Sequence, residues 1–172
     1  LLDMEEIIKD DEDAIEINSF KGKIEFKNVS FEYTDDHNQV FRGLNLNIKS
    51  GEKIAFVGPS GGGKTTLCNL IPRFYDIDSG KITIDGKDIR QLTLKSLREN
   101  IGIVQQDIYL FNSSIRENIL YGRLDATEDE GIEAAKRANI HDYIMTLENG
   151  YETVIGERGV RLSGGQKQRL SI

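Results

Sequence analysis

The chain has 172 residues, 38% of them hydrophobic, which is enough to build the core of one globular domain. Its 22 Lys and Arg against 29 Asp and Glu give a net charge of -7, and this argues against broad nucleic-acid binding because phosphate backbones select basic surfaces. The single cysteine, Cys68, excludes an internal disulfide and favours a reduced, intracellular setting, and two distant histidines argue against a zinc site.

The N-terminal part of the chain changes character at about residue 20. Residues 1–20 are strongly acidic and predict a linker or a frayed helix. From Lys23 onward apolar and polar residues alternate, which predicts a half-buried strand that ends near Tyr33. A second strand is expected over residues 44–48.

The middle of the chain alternates predicted strands with predicted helices. The run Glu52–Val57 is short, largely apolar and followed by glycine, which indicates a buried strand of the parallel type. A helix is expected over Lys64–Ile71, where a following proline ends it. Strands are expected at Gly80–Ile84 and Ile101–Val104, with a helix that begins near Thr93 between them. Cys68 lies on the helix expected over Lys64–Ile71, and its side chain is expected to pack against the sheet.

The last part of the chain, after about residue 111, is predicted to be helical. Thr127 and Glu130 have the spacing of a capping box. The apolar residues that follow recur on one helical face, at Ile132, Ala135 and Ala138. A second short helix is expected over Asp142–Leu147, and Gly150 supplies the left-handed residue that ends it.

A glycine-rich segment between the strand and helix predicted in the middle of the chain matches the P-loop pattern G-x-x-x-x-G-K-[ST]. Such glycines let backbone N–H groups turn inward around phosphates, a lysine supplies a mobile positive charge, and the hydroxyl after it binds Mg²⁺. Lys64 and Thr65 take these two roles here. The alternative is a turn that merely joins a strand to a helix. The predicted nucleotide-binding residues are Gly58, Pro59, Ser60, Gly61, Gly62, Gly63, Lys64, Thr65 and Thr66.

A second motif near the end of the chain places a serine and two glycines before a helix, as Leu162-Ser163-Gly164-Gly165-Gln166. Backbone N–H groups and a helix dipole at such a place favour an anion, although a serine there also caps ordinary helices. The motif closely resembles the signature sequence of ABC ATPases. From Lys23 to Ile172 the chain is similar to the nucleotide-binding domain of that family.

The resemblance implies an α/β fold: a P-loop ATPase core with an antiparallel β front and a helical subdomain over about residues 111–172. It implies ATP and Mg²⁺ as ligands. It also implies a second nucleotide-binding domain as a partner, packed head to tail, so that Ser163, Gly164, Gly165 and Gln166 act on the nucleotide held by the other P-loop. Residues 21–172 would form the N-terminal portion of the domain, and residues 1–20 a linker from a preceding membrane domain.

Two further residues carry roles from the family. Tyr33 matches the aromatic residue that stacks on adenine, although an aromatic side chain at a strand end also fills a core. Gln106 matches the glutamine that contacts Mg²⁺ and the attacking water, and Gln105 is the alternative. Lys64 and Gln106 are therefore the expected catalytic residues, and Thr65 and Gln106 the expected metal-binding ones.

Two stretches resemble ABC exporters in particular. These are the segment from Phe111 to Ile119 and the Gly156-Glu157-Arg158-Gly159 sequence before the signature. In exporters these surfaces touch the coupling helices of the membrane-spanning domain, at the cytoplasmic face of the membrane. Glu157 and Arg158 are thus candidates for transmitting the ATP state, against the alternative of an exposed charged turn.

The family's catalytic strand, four apolar residues followed by Asp-Glu, has no counterpart in the 172 residues. We therefore expect the C-terminal part of the ATPase core to be missing, and this chain to bind ATP without hydrolysing it efficiently. A protein that uses ATP as a clamp without a membrane partner is the alternative within the family. A P-loop kinase with an accidental signature match is the alternative outside it.

Overall fold

A computed structural model describes residues 8–33, 38–105, 107–156 and 162–172, and the chain divides into two compact units. The first unit reaches Ile101, and the second runs from Gly102 to Ile172. The helical portion expected from about residue 111 falls within the second unit. Among the described residues, no helix has both the length and the apolar character needed to cross a membrane.

A four-stranded sheet dominates the first unit. Its strands are β1 (Ile24–Tyr33), β2 (Asn38–Ile48), β3 (Ser79–Ile84) and β4 (Lys87–Asp88), hydrogen-bonded in the order β2-β1-β3-β4. Every pairing is antiparallel, with Ile24 of β1 opposite Ile48 of β2 on one side and a β3 residue on the other. The antiparallel β front predicted from the sequence is confirmed.

A bulge in β1 explains why its buried residues do not alternate strictly. Phe26, Val29 and Phe31 are all buried, although Phe26 and Val29 are an odd number of residues apart. The register shifts between these two residues, and Asn28 has a left-handed φ of 51°. The extra residue restores the inward direction, as a bulge does.

The two helices of the first unit begin and end near the predicted places. Helix α1 (Lys64–Leu70) follows the glycine-rich loop, and α2 (Leu94–Glu99) is capped by Thr93, whose hydroxyl accepts from the Ser96 N–H. Helix α1 buries its Thr66, Leu67 and Leu70 side chains. The prediction that Cys68 packs against the sheet is wrong: it is exposed, because it falls on the other face of this short helix.

Two predicted strands are absent from the described residues. Neither Glu52–Val57 nor Ile101–Val104 is assigned to a strand, and Val57 and Val104 are 94% and 51% exposed. A strand buried in a parallel sheet needs hydrogen-bonded neighbours, and every strand pairing among the described residues is antiparallel except one isolated bridge far from both runs. Both strands were predicted from apolar composition, and composition does not show whether a neighbouring strand is present to pair with them.

The acidic N-terminal segment lies against the first unit over the part that is described. Ile15 exchanges backbone hydrogen bonds with Gln91 and Thr93, at 2.9 and 3.1 Å. The Asp10 carboxylate accepts from the Leu94 N–H at 2.7 Å, at the start of α2. Residues 8–20 contain no helix, so the frayed-helix alternative does not hold there. Their origin as a linker from a membrane domain stays a prediction.

The second unit is mostly helical and has a small core of its own. That core contains Leu110, Ile115, Ala135, Ile140, Ile144, Ile155, Leu162 and Leu170. Its elements are β5 (Ser113–Ser114), α3 (Ile115–Leu120), α4 (Glu128–Arg137), α5 (His141–Met145), β6 (Val154–Ile155) and α6 (Gly164–Leu170). Strands β5 and β6 pair as an antiparallel two-stranded sheet. The mixed α/β fold class is confirmed.

Helix α4 shows how local sequence determines a helix start. Thr127 and Glu130 form the predicted capping box, in which each side chain bonds the backbone of the other residue. The pKa of the Glu130 carboxyl is lowered to about 2. The largest cause is the hydrogen bond from the Thr127 backbone N–H, and the ion pair with Arg123 and the bond from the Thr127 hydroxyl add to it. Of the predicted apolar face, Ala135 is fully buried. Gly150 has the left-handed φ that was predicted, 50°, but it does not end the helix: α5 ends at Met145, and Gly150 begins a short 3₁₀ helix over Gly150–Glu152.

Candidate nucleotide-binding site

The P-loop forms a tight turn that leads directly into α1. The Gly62 N–H donates to the Pro59 carbonyl at 3.2 Å, and the Leu67 N–H donates to the Gly63 carbonyl at 2.9 Å. Gly61 and Gly63 both have a φ of 78°, which side-chain-bearing residues rarely adopt. The glycine-rich pattern therefore reflects real backbone requirements at these two positions.

Gly63 is also the point where the loop touches the sheet. A Cβ atom built there would lie 2.7 Å from Val40 Cγ1 and 2.9 Å from Phe41 Cε1, both on β2. By contrast, nothing lies within 4 Å of a Cβ built on Gly58 or Gly61. The loop is thus held against β2 at its C-terminal end and faces open space at the other two glycines.

The Lys64 side chain folds back over the loop. Its Nζ donates to the carbonyl oxygens of Gly58 and Pro59, at 2.9 and 2.6 Å. An ammonium group has three donors, so these bonds place the positive charge at the loop while a further donor can reach a ligand. The contact of Lys64 with the terminal phosphates stays a prediction.

The two threonines after the lysine differ in exposure. Thr65 is exposed, whereas Thr66 is buried and its hydroxyl oxygen lies 2.9 Å from that of Tyr33. In the first turn of any α-helix the backbone N–H groups have no intrahelical acceptor, so Lys64, Thr65 and Thr66 present such groups at the loop. The residues present fit a triphosphate, with the Thr65 hydroxyl accessible for Mg²⁺.

Tyr33 stands at the end of β1 beside α1. Besides its hydroxyl bond to Thr66, its ring meets Phe31 edge to face at 4.9 Å and Tyr75 edge to face at 5.2 Å. The side chain is half-buried. The structure therefore brings Tyr33 and the P-loop helix together within the first unit. Its contact with adenine stays a prediction.

The signature residues begin α6 in the second unit. The Ser163 hydroxyl accepts from the Gln166 N–H at 3.3 Å, and the Gln166 side-chain oxygen accepts from the Ser163 N–H at 2.8 Å. Ser163, Gly164 and Gly165 are exposed, while Leu162 and Leu170 anchor the segment in the core of this unit. The capping alternative is therefore observed in these residues, and it leaves the serine and both glycines exposed. Their role as an anion site stays a prediction.

Three residues with predicted roles, namely Gln106, Glu157 and Arg158, lie outside the described residues. Gln105, the alternative to Gln106, is described and exposed. Their assigned roles stay predictions.

The second unit has an exposed aromatic surface, of which the sequence analysis singled out only Phe111, within the segment from Phe111 to Ile119, and missed the two tyrosines. Tyr109 and Tyr121 are 67% and 61% exposed, and both pack on the ring of Phe111, at 5.3 and 4.4 Å between centroids. The Asn118 amide fixes the Phe111 backbone with bonds of 2.8 and 3.1 Å to its N–H and carbonyl. Contiguous exposed rings of this kind mark interaction surfaces. Aromatic residues at positions 109, 111 and 121 have no spacing that the sequence alone would reveal.

Comparison with known proteins identifies the family. A model of the ABC transporter family matches residues 41–172, which include the P-loop and the signature motif. The chain belongs to the ABC transporter family. In solved structures, it is similar to a bacterial Atm1-family ABC exporter with ATP bound, at 44% identity and a TM-score of 0.90 over 99% of this chain and 30% of that one.

Two curated ABC relatives match over all 172 residues. The uncharacterized ABC transporter ATP-binding protein YwjA of Bacillus subtilis is 53% identical. SAV1866 of Staphylococcus aureus strain Mu50, which its name describes as a multidrug export ATP-binding/permease protein, is 55% identical. The chain spans 30% of the length of each of these relatives.

Proposed function

We propose that the chain is the ATP-binding part of an ABC exporter, in which ATP binding and hydrolysis drive the export of a substrate through a membrane domain. The observation that carries the proposal is the P-loop, with Lys64 bonded across it at 2.9 and 2.6 Å and two left-handed glycines that open the backbone. The family match over residues 41–172 and the exporter relatives support the coupling to transport.

At the phosphate end of the site, each residue has a separate task. The first-turn N–H groups of α1 bind phosphate oxygens, and Lys64 neutralises charge on the terminal phosphates. Thr65, which is exposed, and Gln106 would hold Mg²⁺, which when bound neutralises charge on the phosphate oxygens. Gln106 would also orient the attacking water.

The signature residues act on a second copy of the domain in this proposal. Ser163, Gly164, Gly165 and Gln166 would face the terminal phosphate of the ATP held by the other P-loop in a head-to-tail dimer. Support comes from the exposure of the serine and both glycines at the beginning of α6. Residues buried in the core of their own unit could not reach another molecule.

We further propose that the membrane-spanning domain docks on the second unit through its coupling helices. The aromatic surface of Tyr109, Phe111 and Tyr121 offers apolar area, and Glu157 and Arg158, further along the chain, would offer charge. The occupant we propose is the membrane-spanning part of the same transporter, since the name of the SAV1866 relative combines an ATP-binding part with a permease. The domain would then lie at the cytoplasmic face of the membrane.

Binding and turnover are expected to separate in the 172-residue chain. In-line attack on a phosphate needs a positioned water and a polarising group as well as a phosphate clamp. The chain has no run of four apolar residues followed by Asp-Glu to supply it. We expect ATP binding without sustained phosphate release, and multiple turnovers by the purified 172-residue chain would contradict this.

The test of the proposed function is equilibrium binding of a fluorescent ATP analogue with Mg²⁺. Lys64→Ala should abolish binding, and Ser163→Ala should leave binding to one chain intact while it weakens ATP-dependent dimerisation. Cys68→Ser, on the exposed face of α1, is the matched control and should change neither. Unchanged affinity in Lys64→Ala would overturn the assignment of the P-loop.

A further inference from the structure

The segment Arg73-Phe74-Tyr75-Asp76 follows α1, and no role described above uses it. Arg73 is buried and has a left-handed φ of 54°. Its guanidinium bonds both carboxylate oxygens of Asp76, at 2.7 and 3.3 Å. The Arg98 guanidinium donates to the carbonyl oxygens of Pro72 and Arg73, at 3.1 and 2.9 Å. These part-buried, charge-assisted bonds stabilise the conformation of the turn.

The turn places its two aromatic rings against different partners. The Tyr75 ring lies 5.2 Å from that of Tyr33 at an interplanar angle of 89°, and 5.8 Å from that of Phe31. The Phe74 ring instead lies under the Arg98 guanidinium, 5.3 Å from its carbon. Both side chains are similarly accessible, at 41% for Tyr75 and 39% for Phe74. Only Tyr75 touches the ring expected to meet the base.

Tyr33 is thereby fixed at three points. Phe31 and Tyr75 contact its ring, and Thr66 of α1 bonds its hydroxyl at 2.9 Å. The contact with Thr66 ties Tyr33 to the helix that carries the phosphate cradle. Of these three partners, Phe31 and Thr66 are buried and Tyr75 is exposed. Removing the Tyr75 ring should therefore alter the position of Tyr33 with little effect on the core.

We propose that Tyr75 is a positioning residue for the purine base of ATP, and that it acts by holding the Tyr33 ring in the orientation that stacks on the base. This inference rests on the proposed function, since it assumes that Tyr33 meets the nucleobase. The Arg73–Asp76 pair holds Tyr75 in place. The turn therefore affects the part of the ATP affinity that comes from the base, and the P-loop provides the part that comes from the triphosphate.

The test compares ATP with inorganic tripolyphosphate, which has three phosphates but no adenosine, each bound to the 172-residue chain in the presence of Mg²⁺. Tyr75→Leu, which keeps an apolar side chain without the ring, should lower the ratio of ATP affinity to tripolyphosphate affinity by about two- to tenfold, the size of one aromatic pair contact. Tyr75→Phe keeps the ring and should restore the ratio. The tripolyphosphate affinity itself should not move.

Phe74→Leu is the matched control, because it removes a ring of similar exposure from the same turn without touching Tyr33. A merely structural role for Tyr75 would shift the thermal unfolding of Tyr75→Leu and leave its affinity ratio unchanged. An unchanged ratio in Tyr75→Leu, or an equal loss in Phe74→Leu, would overturn the inference.

Two further variants separate this inference from the proposed function. Tyr33→Ala should lower the same ratio at least as much as Tyr75→Leu, and Lys64→Ala should weaken both ligands. If Tyr33→Ala lowers the ratio and Tyr75→Leu does not, only the positioning role fails. If Lys64→Ala weakens neither ligand, the proposed phosphate site fails instead.

Discussion

Replacing Gly63 by alanine should destabilise the first unit more than the same change at Gly61. Both glycines have a φ of 78°, so an alanine at either is strained by the same amount, on the order of 1–2 kcal/mol. The two positions differ in their surroundings. A Cβ at Gly63 would lie 2.7 Å from Val40 Cγ1, whereas a Cβ at Gly61 would meet nothing within 4 Å.

The clash at Gly63 adds a second energy. A Cβ there also approaches two carbons of the Phe41 ring, at 2.9 and 3.0 Å, so side chains of β2 would have to shift to make room for it. Overpacking of this kind costs about 1–3 kcal/mol. Gly61→Ala should therefore lower the free energy of unfolding by about 1–2 kcal/mol, and Gly63→Ala by about 2–5 kcal/mol when both energies are summed.

Denaturant titration of the two variants, with the m-value checked for constancy, measures this difference. A third chain, Gly63→Ala with Phe41→Leu, should recover part of the loss because the smaller side chain makes room for the Cβ. Equal destabilisation of Gly61→Ala and Gly63→Ala would refute the reasoning, since it would mean that β2 does not press on the loop.

Three other changes have outcomes that the structure determines. Gly80→Ala should be far more destabilising than Gly86→Ala in the same titration: both have a φ of 84°, but only at Gly80 would a Cβ strike backbone atoms of β1. The folded-state pKa of the Glu130 carboxyl is about 2, below its usual 4.5, so its ionised form stabilises the fold fully above pH 4.5 and less as the pH falls from there through 2. When the free energy of unfolding is measured against pH, Glu130→Gln should lack this pH-dependent stabilisation. Asn118→Ala should cost about 0.5–1.5 kcal/mol of unfolding free energy, since it removes hydrogen bonds to the Phe111 N–H and carbonyl at an exposed site where water can replace the amide. The absence of any measurable loss would contradict the role of that amide.

Helix starts were predictable from the sequence because their signals are local. Thr93, Thr127 and the serine of the signature each cap the helix that follows, and each bonds an N–H only three residues on. The P-loop was predictable for the same reason, since its backbone conformation is decided by glycines within the loop. Where every partner of a group lies within one turn, residue types and spacing suffice.

Contacts between distant residues were not predictable in the same way. The bond between Tyr33 and Thr66 joins residues 33 positions apart, and the ring of Tyr75 meets Tyr33 across 42 positions, as the residue numbers show. Nothing in either residue type specifies the other. The exposed rings of Tyr109 and Tyr121, which pack on Phe111, were missed because no periodicity links these positions.

The failure of the strand prediction at Glu52–Val57 bears on how the phosphate site is held. A P-loop is usually pictured as fixed by the strand before it, yet here that run is in no strand and its last residue, Val57, is 94% exposed. The loop nevertheless keeps its turn from Pro59 to Gly62, its left-handed glycines and its lysine contacts. Those contacts lie within the loop itself, or join it through Gly63 to β2 and through Thr66 to Tyr33 of β1. The antiparallel strands β1 and β2 therefore contact both parts of the proposed ATP site: β2 contacts the P-loop at Gly63, and β1 carries Tyr33, the ring proposed to meet the base.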